Sequence, residues 1–198
     1  MRRRLLAVAA LGGLGVLAAR AWPSRAPAAL PDLGAELCVS APPFPYDPAS
    51  GLAADAPRPV PSEARCPVCG MYPARAPRWA AQAHFDDGAA LFFDSPLMLM
   101  LWLQSVPRYS PGRRADELHA LWVQDHLSGE WLPAQAAHYV AGSGALGPMR
   151  NGNLPPFASA TAAQAFARQR GGLVLGFEAA RAPERLRALD TRSHRHAA

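Results

Sequence analysis

From residue 79 to residue 177 the chain runs twice through one order of local patterns, and this repetition limits its possible folds more than any other feature. Residues 79–85 have strand character, Asp86-Asp87-Gly88 is a turn signal, and residues 89–93 form a second β-rich run. Asp94-Ser95-Pro96 then supplies an N-cap and an early helical proline for a buried helix over 97–105. A loop over 107–114 leads to a strand over 118–124. The second pass reads 131–140 as extended, 153–159 as extended, 162–170 as a helix opened by Ser159-Ala160-Thr161 and stopped by Gly171-Gly172, and 173–177 as a closing strand. The expected class is α+β, with two small strand-strand-helix-strand lobes over 63–124 and 125–181.

The flanks differ from this patterned domain. Arg2-Arg3-Arg4 followed by an apolar stretch over 5–19 has the layout of a signal peptide, so residues 1–21 are expected to be one, or an N-terminal membrane anchor. Ala19-Arg20-Ala21 offers a cleavage site. The apolar run falls short of the roughly 20 residues that span a bilayer comfortably. Either reading places the domain in the periplasm, exported or held at the inner membrane. Residues 22–62 carry a proline every few positions, which predicts a Pro-rich tether, or a strap packed by its few aromatics. Residues 182–198, with Arg185, Arg187, Arg192, His194, Arg195 and His196, are expected to be a mobile basic tail.

The formal charge of +5 invites a nucleic-acid partner, but every cation other than histidine is Arg, and the arginines are scattered or terminal. Without a basic stripe and interleaved aromatics, nucleic acid is excluded as the expected partner. No nucleophile-base-acid set, phosphate loop or Gly-x-Ser-x-Gly occurs, so the chain is not expected to be an enzyme.

Chemistry concentrates in Cys66-Pro67-Val68-Cys69-Gly70-Met71. Two thiols and a thioether so close in sequence are a soft donor set, which selects Cu(I). A lone C-x-x-C equally fits a thiol-disulfide oxidoreductase, half a zinc ribbon, or a structural disulfide in a metal-free binding or scaffold protein. A zinc ribbon would need a second close pair, and His194 with His196 in the tail is the only one. A thioredoxin-like site would need a helix after the motif, where Pro73 and Pro77 stand. Cys38 leaves an odd thiol. Met149, in Gly147-Pro148-Met149, reads as a second soft ligand or as a loop residue filling a gap, whereas Met98 and Met100 lie in the expected core helix. Of His84, His126 and His138, none is singled out by spacing; His126 ranks first as a further ligand because Asp125 would orient it.

In its run from 66 to 178 the sequence resembles the NosL family of nitrous oxide reductase accessory proteins. The resemblance rests on Cys-Pro-Val-Cys-Gly-Met-Tyr at 66–72, Ala-Ala-Gln at 80–82, Asp87-Gly88, and Phe92-Phe93-Asp94-Ser95. It continues through Val123-Gln124-Asp125, Gly129-Glu130-Trp131, Ala137-His138-Tyr139-Val140, Pro148-Met149, Phe157-Ala158-Ser159 and Gly171-Gly172. The resemblance implies a copper chaperone that binds Cu(I) and delivers it for assembly of the nitrous oxide reductase copper-sulfide centre. Its partners would be that enzyme or its maturation proteins, and its lobes would be built like those of organomercurial lyase.

On this resemblance the metal ligands are Cys66, Cys69, Met71 and Met149, the last raised from gap filler to ligand. Two departures stand out. Ala35-Glu36-Leu37 before Cys38 does not make a lipobox, so membrane attachment would come through the N-terminal helix. The family's Pro-Met-Gly reads Pro148-Met149-Arg150 here, with a cation beside the expected ligand.

Overall fold

A computed structural model describes residues 41–150 and 153–190. The chain divides into units over 1–36 and 37–198, and all described residues belong to the second. The expected signal peptide or anchor, Cys38 and the histidines of the tail lie outside them. Among the described residues no helix is long and apolar enough to cross a membrane.

The repeated element order is present, and the two passes share a topology. In the first, β1 (Ala81–Phe85) and β2 (Ala90–Phe93) form an antiparallel hairpin, α1 (Pro96–Leu103) and a short α2 (Val106–Tyr109) follow, and β3 (Leu118–Gln124) returns to the other side of β1. In the second, β5 (His138–Ala141) is flanked by β6 (Pro156–Phe157) and β7 (Leu173–Leu175), with α3 (Ala160–Arg170) between them in sequence. In each pass the first strand therefore lies between the other two. Local chemistry explains the turns between these elements. Asp87 Oδ1 accepts the Ala89 amide to close the hairpin, and the Ser95 and Ser159 hydroxyls cap α1 and α3 by accepting from Met98 and Ala162. At Gly172, φ is +101° and a Cβ would stand 2.8 Å from the Ala141 carbonyl oxygen, so only glycine lets α3 turn back onto β5.

One core serves both sheets. Ala81, Ala83, Phe85, Leu91 and Phe93 point into it from the first sheet, and Tyr139 and Ala141 from the second. Helix α1 is apolar all round and sinks into it with Leu97, Met98, Leu99, Met100 and Trp102 buried, as expected of a core helix. Trp102 Nε1 donates to Ser110 Oγ and Tyr139 OH to the Ala134 carbonyl, which satisfies two polar atoms that burial would otherwise penalise. Val140 and Phe157, on the opposite face of the second sheet, pack with Ala163 and Phe166 of α3.

The structure decides between the two readings of 22–62 and corrects three further expectations. The Pro-rich tether is, in its described part, a strap on the outer face of the first sheet. Phe44 and Ala90 exchange two main-chain hydrogen bonds of 2.8 Å, Phe44 meets Phe92 edge-on, and the Gln82 amide pairs with both main-chain groups of Arg58. Covered on both faces, β1 is buried at every residue. Next, 131–140 is not one extended segment. A tight turn lets β4 (Trp131–Pro133) pair with β3 as the fourth strand of the first sheet, and a 3-10 turn at Ala134–Ala136 then carries the chain to the second. The closing strand stops at Leu175, and Phe177 enters a short helix α4 (Phe177–Ala180) that turns it into the shared core. Finally, the tail from 182 starts with helix α5 (Pro183–Leu189), whose Leu186 and Leu189 bury against the core beside α1.

Candidate metal centre

The 66–71 segment is a closed loop. The Cys66 amide donates to the Met71 carbonyl and the Gly70 amide to the Cys66 carbonyl, both at 2.8 Å. The reversal requires Gly70 at φ +74°, a left-handed conformation that a side chain would strain. Prolines 73 and 77 open two 3-10 turns directly afterwards, so no α-helix starts at the cysteines. The result is that Cys66 and Cys69 turn toward the same neighbour, the C-terminal end of β2.

That neighbour is Asp94, which sequence reasoning did not select. Ser95 takes the capping role at the start of α1, and the Asp94 carboxylate faces the loop, where the Cys69 thiol donates to Oδ1 at 3.3 Å. The Cys66 and Cys69 sulfurs and the carboxylate lie within 4.8 Å of one another. Cys66 is wholly buried, Asp94 is buried, and Cys69 is half-buried at the mouth. Both cysteines are free thiols. Burial pushes the Cys66 thiol well up from its ordinary value, and its hydrogen bond with Cys69 adds to the effect.

The methionines divide as follows. Met71 closes the loop through its main chain and is 36% exposed at the rim. Met149 lies in the turn before Arg150 and packs, partly buried, on the same core cluster that contains Cys66 and carries Cys69 and Val68 at its edge. His126 is not brought to the Cys66, Cys69 and Asp94 donors. Its ring sits among Trp79, Phe157 and Phe166, with centroids 5.0 to 5.8 Å apart, and burial lowers its pKa. Asp125 does not orient that ring by a hydrogen bond; its carboxylate accepts the Leu127 and Ala158 amides and so holds the β3–β4 turn. An aromatic packing role accounts for His126, and among the described residues it is not part of the Cys66, Cys69, Asp94 cluster.

Chemically the site offers two sulfurs and one carboxylate oxygen in a largely dry recess, with a thioether at its rim. Such a set binds a cation and favours a soft one.

Comparison with known proteins agrees with this architecture. The crystal structure of the copper chaperone NosL from Shewanella denitrificans superposes with a TM-score of 0.53 at 20% identity, covering 63% of this chain and 94% of that one, and it shows a shared fold. The solution structure of apo-NosL from Achromobacter cycloclastes matches at 28% identity and a TM-score of 0.37, over 50% of this chain and 82% of that one. No curated protein sequence matches the chain. The NosL family model matches residues 57–182, well over half of the sequence and the whole of the candidate centre, and the chain therefore belongs to the NosL family.

Proposed function

We propose that this protein is a metallochaperone that takes up Cu(I) at the 66–71 loop and hands it on for assembly of the nitrous oxide reductase copper-sulfide centre. The observation that carries the reading is the convergence of the Cys66 and Cys69 sulfurs with the Asp94 carboxylate, within 4.8 Å of one another, on a loop that also presents Met71. Cu(I) accepts two or three soft ligands without demanding a fixed geometry, so this donor set suits it as cargo. Cys69 and Met71 are the outer ligands and Cys66 the inner one; Met149, in the turn before Arg150, is the further thioether ligand. Asp94 adds negative charge beside the metal, where low dielectric strengthens its effect.

Membership of the family supports the reading, as does the shared fold with a protein described as a copper chaperone. The role is that of a carrier rather than a catalyst, and its partners are the reductase or the proteins that mature it. The signal-like residues 1–21 support export to the periplasm, with cleavage or anchoring at the inner membrane; fractionation of cells expressing the full chain tests this.

Two thiolates and a carboxylate are also a set that zinc accepts, so the decisive experiment compares the metals. Reduced protein is titrated anaerobically with Cu(I) against a chromogenic chelator, and in parallel with Zn(II). Binding of about one Cu(I), held in preference to zinc, is expected. Zinc retained with no competition for Cu(I) overturns the proposal.

A further inference from the structure

We propose that Arg65 and Arg75, held over the ring of Tyr72 at the rim of the 66–71 loop, form a docking face for an acidic surface on the protein that exchanges metal with this chain. The name of that exchange rests on the copper-carrier reading; the docking face itself rests on charge and geometry.

Tyr72 directly follows Met71 and is half-buried. Both guanidinium carbons lie over its ring, at 4.3 Å for Arg65 and 4.7 Å for Arg75. Arg65 also donates to the Tyr72 hydroxyl and, at 3.3 Å, to the Gly70 carbonyl. Arg65 is thereby fixed by an aromatic face and a loop carbonyl, Arg75 rests on the same ring, and both residues remain exposed. Among the described residues no acidic group pairs with either. The nearest carboxylate in sequence, Glu63, accepts the Ser62 hydroxyl instead.

A guanidinium fork presents donors that match a carboxylate, and one already held in place loses less conformational freedom when it pairs. Opposite charge across an interface raises the encounter rate and fixes orientation. Placed here, the charges turn the cysteine mouth toward an incoming acidic face. An anionic membrane would also attract arginines, but it binds through apolar insertion as well, and Met71 is the one exposed large apolar side chain within that loop.

The test uses the reduced full chain and fluorescein-labelled hexaglutamate, followed by anisotropy, with hexaglutamine as the neutral control and phosphatidylglycerol vesicles as the membrane control. Hexaglutamate is expected to bind, hexaglutamine is not, and the dissociation constant should rise at least tenfold between 20 and 300 mM salt. The R65Q/R75Q protein should bind hexaglutamate about tenfold more weakly, and R65K/R75K should fall between it and the parent. R168Q/R170Q, which removes two exposed charges at the end of α3, should bind as the parent does. Thermal melts establish that each variant is folded. Equal losses in R65Q/R75Q and R168Q/R170Q overturn the proposal, as does binding to the vesicles that exceeds binding to the peptide and depends on Arg65 and Arg75. Because the assay uses no copper, failure of the Cu(I) titration with peptide binding intact would refute only the carrier reading.

Discussion

Lowering the pH from 7 to 5 should destabilise this protein through His84, a residue remote in sequence from the metal loop. His84 lies wholly buried on β1 beneath the strap, its Nε2 2.8 Å from Gln82 Oε1. Burial is the main reason that its pKa falls from 6.5 to about 4; the Arg58 guanidinium adds to this, His119 adds less, and the Ala54 main chain and Asp55 carboxylate oppose it. Above pH 6.5 the imidazole is neutral in both states and contributes nothing to pH dependence. As pH falls through 6.5 the unfolded chain binds a proton that the folded one refuses until about pH 4, so stability is lost across that window. At pH 5 the linkage amounts to about 2 kcal/mol, and solvent screening beneath a strap only one chain thick reduces it to roughly 1–2 kcal/mol. The assay is urea unfolding of the parent and His84→Gln at pH 7 and pH 5. The parent should lose roughly 1–2 kcal/mol more than the variant between the two conditions. Equal losses would refute the reasoning, since they would mean that the imidazole accepts its proton without disturbing the strap.

The sulfur ligands should separate in a chelator competition: Cys69→Ser weakens Cu(I) binding most, and Met149→Ala by about 10–100-fold. Met98→Ala should leave copper affinity unchanged while costing roughly 2–5 kcal/mol in urea unfolding, because Met98 is 2% exposed in α1. Asp94→Asn keeps the shape of the side chain but removes its charge, and is expected to weaken Cu(I) binding by about tenfold; an unchanged affinity in the same competition would remove Asp94 from the centre. Leu186→Ala should cost roughly 2–5 kcal/mol in thermal or urea unfolding, since Leu186 is 1% exposed; a mobile tail would give no change.

What the sequence by itself determined is what short-range chemistry decides. The hairpin at 86–88, the serine caps of α1 and α3, and the glycine stop after α3 all depend on residues within a few positions of one another, and all stand where they were read. The repeated element order follows from them. The pairing of Cys66 with Cys69 was legible for the same reason, because one six-residue loop holds both. Tertiary structure decided the rest. Asp94 reaches Cys69 across 25 residues only because β2 ends beneath the loop. In sequence that aspartate looks like one more residue at a helix start. The strap became structure because Gln82 offered its amide to the main chain of Arg58, and a proline-rich segment gives no periodicity to announce such a partner. Trp131 and Leu132 joined the first sheet through pairing with β3, and Leu186 and Leu189 ordered α5 by finding apolar surface beside α1. Burial and pairing over long separations set these outcomes, and neither is a property of any local stretch of chain.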